Sequence, residues 1–194
     1  MLSIYQLKSK FQQLLRPVAK ALSKLGFTPN QVTIAAVLLS ANLGLLLLFH
    51  RITLTFLLLI PIGLFIRMAL NALNGIMAKE HNMQSQLGQI LNELGDIISD
   101  LCLIIPLIFV TNLHPAIILS FAFLTVINEF AGLLGQAIGG DRRYDSDRTL
   151  LIGAFCILFY YIPTVILYAN WIFTVACLLL ILSTIIRIKK SVKT

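Results

Sequence analysis

Six long apolar runs dominate the sequence and restrict the folds that the chain can adopt. They lie at roughly residues 31–49, 52–78, 88–111, 115–138, 149–168 and 170–187. An α-helix needs about 20 predominantly apolar residues to cross the hydrocarbon core of a bilayer, whereas the strands of a membrane barrel would alternate polar and apolar residues. The runs therefore predict an all-α, polytopic integral membrane protein with six transmembrane helices.

The composition of the 194-residue chain agrees with lipid as its solvent. Hydrophobic residues make up 58% of the chain and charged residues 12%, while a soluble domain carries about 25% charged residues. A core of this size could not hide so much apolar surface. The three cysteines lie inside apolar runs without Cys-x-x-Cys spacing, which indicates neither a disulfide framework nor a zinc site. No linker or internal repeat interrupts the chain, so residues 1–194 are predicted to form one domain.

Residues 1–26 form an amphipathic segment ahead of the predicted six-helix bundle of residues 27–194. Its apolar residues recur at the spacing of one helical face; they are Ile4, Leu7, Phe11, Leu14, Val18, Leu22 and Leu25. Most of its basic residues lie off that face, so the helix is expected to lie in the membrane interface. Pro17 predicts a kink or two short helices. Gly26 is expected to end the segment, and Thr28-Pro29 to begin the first span.

Lysine and arginine are distributed unevenly between the two sides of the predicted bundle. One side holds Lys8, Lys10, Arg16, Lys20, Lys24, Lys79, Arg142, Arg143, Arg148, Arg187, Lys189, Lys190 and Lys193. The other side holds Arg51. The positive-inside rule therefore places both termini in the cytoplasm. The net charge of +7 suits anionic headgroups, and no basic module with exposed aromatic residues indicates binding to nucleic acid.

Polar residues recur at helical spacing inside three of the apolar runs. The stretch 71-NALNGIMAKEHNMQSQLGQILNELGDIISD-100 holds most of them. The stripes comprise Arg67, Asn71, Asn74, Asn92, Glu93, Asp96, Ser99, Asp100, Glu129 and Gln136, with Gly88 on the same side as Asn92. Ionisable residues in a bilayer are costly and commonly mark functional sites, although asparagine also joins helices as a structural hydrogen-bonding group. We expect Asn71, Asn74, Asn92, Asp96 and Asp100 to line one cavity open to the cytoplasm.

The spacing of these residues matches a known signature. The pattern Asn71-x2-Asn74-Gly75-x2-Ala78-Lys79-x8-Gly88-x3-Asn92-x3-Asp96 resembles the D-x2-D-G-x2-A-R-x8-G-x3-D-x3-D signature of the CDP-alcohol phosphatidyltransferases. The segment Thr28-Pro29-Asn30-Gln31-Val32-Thr33 is similar to the Thr-Pro-Asn entry that these enzymes often carry before the first span. The resemblance covers essentially the whole chain, including an interfacial N-terminal helix and six spans.

The resemblance implies a function in phospholipid synthesis in a bacterial-type inner membrane. Members transfer a substituted phosphate group from a CDP-linked lipid donor to an alcohol acceptor and release CMP, and homodimers are common among them. The resemblance implies nucleotide-binding residues Asn71, Asn74, Gly75, Ala78, Lys79 and Gly88. It implies divalent-cation ligands, for magnesium or manganese, at Asn71, Asn74, Asn92 and Asp96, with Glu93 and Asp100 as further candidates. Asp96 takes the position of the general base.

The chain departs from the signature at four positions. Asparagine replaces aspartate at residues 71, 74 and 92, and Lys79 replaces arginine. At an effective dielectric constant near 20, each lost charge forfeits about 4 kcal/mol of gross attraction per unit of cation charge at ~4 Å. Two tightly held metals are therefore not expected on the signature residues alone. Glu93 and Asp100 could form a shifted site, or one metal could arrive on the pyrophosphate of the donor.

Two rival interpretations remain from the sequence. A catalytically silent homologue would keep the fold as a membrane binding or scaffold subunit. A small transporter could use Arg67, Asp96, Asp100 and Glu129 as an ion path, although the broken, inverted repeats of many transporters are missing. The residues Arg142, Arg143 and Arg148 could bind an anionic acceptor or serve only as positive-inside charges.

Overall fold

The computed structural model describes residues 4–49, 55–110, 112–138 and 148–192, and these residues fold entirely as helices and short connections. The α-helices are α1 (Ile4–Lys24), α2 (Pro29–Leu48), α3 (Phe56–Glu80), α4 (Gln86–Ile104), α5 (Pro115–Ala137), α6 (Arg148–Tyr161) and α7 (Ala169–Val192). Short 3₁₀ helices follow α4 at Ile105–Phe109 and α6 at Pro163–Tyr168. The all-α prediction is therefore confirmed for the described residues.

Local sequence signals explain where the first helices begin and end. The side chain of Thr28 accepts from the backbone N–H of Gln31 at 3.4 Å, and the side chain of Gln31 accepts from the N–H of Thr28 at 2.9 Å. This reciprocal pair is a capping box, and it starts α2 at Pro29 as the sequence predicts. Gly26 has a φ of +84° just after α1, a conformation that glycine adopts without steric cost. Although Pro17 lies inside α1, that helix continues through it, so the two-helix alternative is not observed.

The chain turns earlier between α6 and α7 than the sequence analysis predicted. The predicted runs 149–168 and 170–187 meet at residue 169, but Ala169 is the first residue of α7. The helix α6 ends at Tyr161, and Ile162 has a φ of −132° and a ψ of 78°. Proline disfavours helical backbone at the residue before it, and Pro163 therefore accounts for the break.

Among the described residues, four segments are long and apolar enough to cross a membrane. They are Pro29–Leu48, Phe56–Glu80, Pro115–Ala137 and Pro163–Lys189. The helix α4 is not among them, and it carries three acidic residues, Glu93, Asp96 and Asp100. The helix α6 has only 14 residues. The chain is therefore a polytopic membrane protein, while the count of six spans stays a prediction.

The described chain divides into two compact units, of which the first comprises Met1–Ala41 and Ile62–Ser99. In this unit, α1 packs on α3 and the start of α2 through a core of Ala19, Val32, Leu73, Ile76 and Met77. Exposed apolar residues occupy another side of α1, where Leu14 is 72% and Val18 is 45% exposed. The apolar residues of α1 thus serve two sides, and the interfacial position of the helix stays a prediction.

The second unit comprises Asn42–Pro61 and Asp100–Thr194, and α5 packs chiefly against α7 within it. A Cβ atom at Gly132 would lie 2.5 Å from Nη1 of Arg187, and one at Gly135 would meet Oγ of Ser191. Gly132 and Gly135 therefore allow α5 to pack closely against α7. A Cβ atom at Gly44 would likewise meet the backbone carbonyl oxygen of Cys102, so small residues allow close helix contacts at several points in this unit.

The orientation of the chain stays a prediction that two matched variants can test. Asn82 follows α3 and Asn112 precedes α5, and both are exposed with positive φ values of 54° and 67°. The positive-inside rule predicts Asn82 on the cytoplasmic side and Asn112 on the opposite side. In a variant whose three native cysteines are alanine, Asn112→Cys should react with a membrane-impermeant maleimide in intact cells. Asn82→Cys should react only after lysis, and the reverse pattern would refute cytoplasmic termini.

Several charges behind the orientation prediction lie outside the described residues. Arg51, Arg142, Arg143 and Lys193 are among these. The side of the membrane assigned to each of them, and the acceptor-binding alternative for Arg142 and Arg143, therefore rest on the sequence alone.

Candidate functional site

Three helices of the first unit bring the signature residues together. The start of α2 supplies Thr33, α3 supplies Asn71 and Asn74, and α4 supplies Asn92 and Asp96. Residues three or four apart share one face of a helix, so the spacings 71/74 and 92/96 turn each pair toward the neighbouring helix. The structure thus assembles residues that are 63 positions apart at the extremes, from Thr33 to Asp96.

Asn74 joins all three helices. Its side-chain Nδ2 donates to Oγ1 of Thr33 at 2.8 Å and to Oδ1 of Asn92 at 2.6 Å. Both amide hydrogens are therefore used inside the protein, and Asn74 is 7% exposed. An aspartate at this position could not donate either bond, so the asparagine has a structural function that the signature aspartate would lack.

Asp96 is held by two residues of α3. Asn71 donates from Nδ2 to Oδ1 of Asp96 at 2.9 Å. Nη2 of Arg67 lies 3.8 Å from the same carboxylate oxygen and 3.4 Å from the backbone carbonyl oxygen of Asp96. The side chain of Arg67 is 6% exposed and that of Asp96 is 31% exposed. The carboxylate is therefore anchored from the protein side and still reaches the surface of the unit.

The glycines of α4 allow close contact with the start of α2. A Cβ atom at Gly88 would lie 2.8 Å from Oδ1 of Asn30, and one at Gly95 would lie 2.8 Å from Cγ2 of Thr33. Gly88 also donates its backbone N–H to Oγ of Ser85 at 2.9 Å at the beginning of α4. The Thr-Pro-Asn segment and the second half of the signature are thus in direct contact.

The remaining predicted site residues lie at different depths. Gly75 and Lys79 are exposed on α3, while Ala78 and Glu93 are half-buried. A Cβ atom at Gly75 would meet nothing within 4 Å. Asp100 lies one helical turn beyond Asp96 but belongs to the second unit, where it is 5% exposed. The structure therefore brings Asn71, Asn74, Asn92 and Asp96 together, and the shared cavity that was expected to include Asp100 stays a prediction.

The charges of this group limit the metal that it could hold. Within the described ranges, no three histidine, cysteine, aspartate or glutamate side chains come together as a metal group. Asn71, Asn74 and Asn92 are neutral, and Arg67 balances Asp96. The amide oxygens of Asn71 and Asn74 accept no hydrogen bond from any described residue. The neutral amide oxygens and the single Asp96 carboxylate fit one magnesium or manganese ion that brings anionic ligands with it. They carry too little negative charge to hold two resident divalent cations.

Sequence reasoning missed the function of Thr33 and the location of Arg187. Thr33 belongs to the segment that resembles the Thr-Pro-Asn motif of the family. The motif was therefore recognised, but it assigned no function to Thr33. Arg187 was counted among cytoplasmic charges, but it is 6% exposed and donates from Nη1 to the backbone carbonyl oxygen of Asn128 at 2.9 Å. Asn128 in turn donates from Nδ2 to Oγ1 of Thr184 at 3.0 Å. The spacing of Thr184, Arg187 and Ser191 on one face of α7 could have indicated this buried polar group.

Three solved structures share the fold of this chain. They are crystal structures of the Mycobacterium tuberculosis phosphatidylinositol phosphate synthase PgsA1. The complex with manganese and citrate has a TM-score of 0.72 and 19% identity, and the match covers 90% of this chain and 87% of that chain. The structure with CDP-DAG bound has a TM-score of 0.68 and 18% identity, over 90% and 92% of the two chains. The apo form has a TM-score of 0.68 and 20% identity, over 91% and 93%.

The chain is an integral membrane protein that shares the fold of these crystal structures. No model of a known protein family matches the sequence. A relative is far more similar in sequence: inner membrane protein YnbA of Escherichia coli strain K12 is 42% identical over 191 residues, which cover 96% of this chain and 94% of the relative. The chain belongs to the same family as YnbA.

Proposed function

We propose that this protein transfers a substituted phosphate group from a CDP-linked lipid donor to an alcohol acceptor and releases CMP. The observation that carries the proposal is the joint placement of Asn71, Asn74, Asn92 and Asp96 at the signature spacing, with the Asp96 carboxylate partly exposed. The fold supports the proposal, because a solved structure with the same fold has CDP-DAG bound.

In the proposed reaction, the residues of the first unit would have separate roles. The acceptor hydroxyl oxygen attacks the phosphorus that carries the lipid, the bond to the CMP oxygen breaks, and the hydroxyl proton passes to the Asp96 carboxylate. Asn71 keeps that carboxylate oriented through the 2.9 Å hydrogen bond to Oδ1. Gly75 leaves open space for the nucleotide. Lys79 is exposed one turn further along α3, where its ammonium group could approach a phosphate as a point charge.

A divalent cation is part of the proposal as a companion of the donor. A solved structure of the same fold contains manganese. When bound, such an ion would neutralise charge on the pyrophosphate, and the oxygens of Asp96, Asn71 and Asn74 are the groups that would hold it.

The experiment that tests the function is a direct assay of CMP release. The full chain in detergent or in vesicles is given CDP-diacylglycerol, magnesium or manganese, and a panel of acceptors that includes glycerol phosphate, a sugar phosphate and uncharged alcohols. CMP production that depends on one acceptor would support the transferase. If the chain binds CDP and produces no CMP with any acceptor, the silent homologue is the better description.

The silent homologue is a second candidate because of a specific observation. Asn71 and Asn74 are the donors in their side-chain hydrogen bonds to Asp96, Thr33 and Asn92. They therefore act as structural donors where the signature supplies anionic ligands. Such a protein would bind the nucleotide or lipid without turning it over.

The Gly75→Ala variant tests whether α3 binds the nucleotide at this position or has only a structural function there. An added methyl group would meet nothing within 4 Å, and alanine stabilises a helix interior by roughly 0.5–1 kcal/mol relative to glycine. The variant should therefore melt no lower than the wild type. If the nucleotide approaches the backbone here, its affinity for CDP should fall on the order of tenfold, as isothermal titration would measure. A suitable control is Met68→Ala, an exposed position on the same helix outside the signature. Unchanged CDP affinity in Gly75→Ala would remove Gly75 from the site.

A further inference from the structure

Arg67 is a buried cation that the proposed chemistry does not use. It lies on α3 one turn before Asn71, its side chain is 6% exposed, and Nη2 approaches both the carboxylate and the backbone carbonyl of Asp96. With so little exposure, its guanidinium group is placed to act on Asp96 and not on a substrate in solution. Arg67 is therefore a positioning residue for Asp96.

Asparagine in place of the signature aspartate is compatible with the contact between Arg67 and Asp96. A carboxylate at residue 71 would lie beside Oδ1 of Asp96, at the position where Nδ2 of Asn71 now donates at 2.9 Å. Two carboxylates at that distance repel each other unless a cation lies between them. With asparagine at 71, 74 and 92, a single negative charge remains in the group, and one internal arginine is enough to balance it.

We infer that Arg67 supplies from inside the protein the positive charge that divalent cations supply to a carboxylate-rich site, and that this chain holds Asp96 in place without a resident metal. The inference concerns the site of the proposed function and deepens it. Nucleotide binding then needs no metal bound beforehand, and a divalent cation enters with the donor or not at all. An arginine is always charged, so this counter-charge is permanent.

Manganese alone is the first probe, because it tests the inference without any turnover. The full chain in detergent is titrated with MnCl₂ in the absence of nucleotide, and free Mn²⁺ is counted by electron paramagnetic resonance. The wild type should bind no stoichiometric Mn²⁺. Arg67→Gln removes the internal charge and should raise Mn²⁺ affinity at least about tenfold. Arg67→Lys keeps the charge and should behave as the wild type.

Two further variants make the result specific. Arg16→Gln is the matched control, since Arg16 forms an ion pair with Glu80 at 3.0 Å on the exposed surface and should not alter Mn²⁺ binding. The double variant Arg67→Gln/Asp96→Asn should lose the gain in Mn²⁺ affinity, because no charge remains to bind the ion. If Arg67→Gln alone does not fold while the double variant does, the charge-balancing function of Arg67 is supported by that rescue.

CDP is the second probe, and it separates failure of the inference from failure of the proposed function. The wild type should bind CDP in EDTA with an affinity within about a factor of three of that in Mn²⁺, whereas CDP binding by Arg67→Gln should weaken on the order of tenfold in EDTA and recover with Mn²⁺. Two Mn²⁺ ions on the wild type without nucleotide would overturn the inference and leave the function intact. No CDP binding under any condition, with the expected Mn²⁺ results, would overturn the function and leave the charge balance intact.

Discussion

The Asp96→Asn variant is expected to release CMP at less than about one hundredth of the wild-type rate, because a positioned general base contributes about 10²–10⁴-fold. Asparagine keeps the shape of the side chain, and its amide oxygen can still accept the hydrogen bond that Asn71 now donates at 2.9 Å. CDP binding should therefore remain within a few-fold of the wild type, which isothermal titration would show alongside a CMP-release assay.

Glu80→Gln is the control for this substitution. It also replaces a carboxylate with an amide, but Glu80 lies at the exposed end of α3 and is paired with Arg16. Its CMP release should match that of the wild type. If Asp96→Asn retained the wild-type rate, Asp96 would not be the base, and the fold would have to support different chemistry.

Much of the fold could be predicted from the sequence because its strongest signals are local. The expected starts and ends of the first, second and fourth runs agree with α2, α3 and α5 to within a few residues, except for the start of the second run, which precedes α3 by four residues. Capping residues such as Thr28 explain this accuracy, since they act within one turn of their own helix. The break at Pro163 was equally local, but the apolar run continued through it and hid the proline signal.

The sequence predicted which residues belong to the candidate site, but it did not predict which of them contact one another. Helical spacing placed Asn71 and Asn74 on one side of α3, and Asn92 and Asp96 on one side of α4. Their pairing across helices depends on the register between α2, α3 and α4, which packing at positions such as Gly95 determines. The spacing along α3 placed Arg67 among the polar residues, but it did not predict the contact of Arg67 with Asp96. Contacts of this kind arise from tertiary packing, which residue spacing along one helix does not contain.

Restoring aspartate at residues 71, 74 and 92 together should change the response of the protein to divalent cations more than any other substitution. Without metal, the triple variant loses the donors to Asp96, Thr33 and Asn92 and gathers four carboxylates around one arginine. Each unsatisfied or repelled buried polar group costs about 1–3 kcal/mol. The metal-free variant should therefore melt several degrees below the wild type.

Manganese should reverse this loss, because a ligand that binds only the folded state stabilises it in proportion to the logarithm of its concentration over Kd. Thermal unfolding of the triple variant, followed with and without MnCl₂, should show a rise in melting temperature of several degrees, whereas the wild type should show almost none. Asn82→Asp adds a negative charge at an exposed turn between α3 and α4 and should not respond to the metal. A triple variant that folds but gains no stability from Mn²⁺ would mean that these positions do not form the inherited metal site, whatever the CDP affinity of the chain.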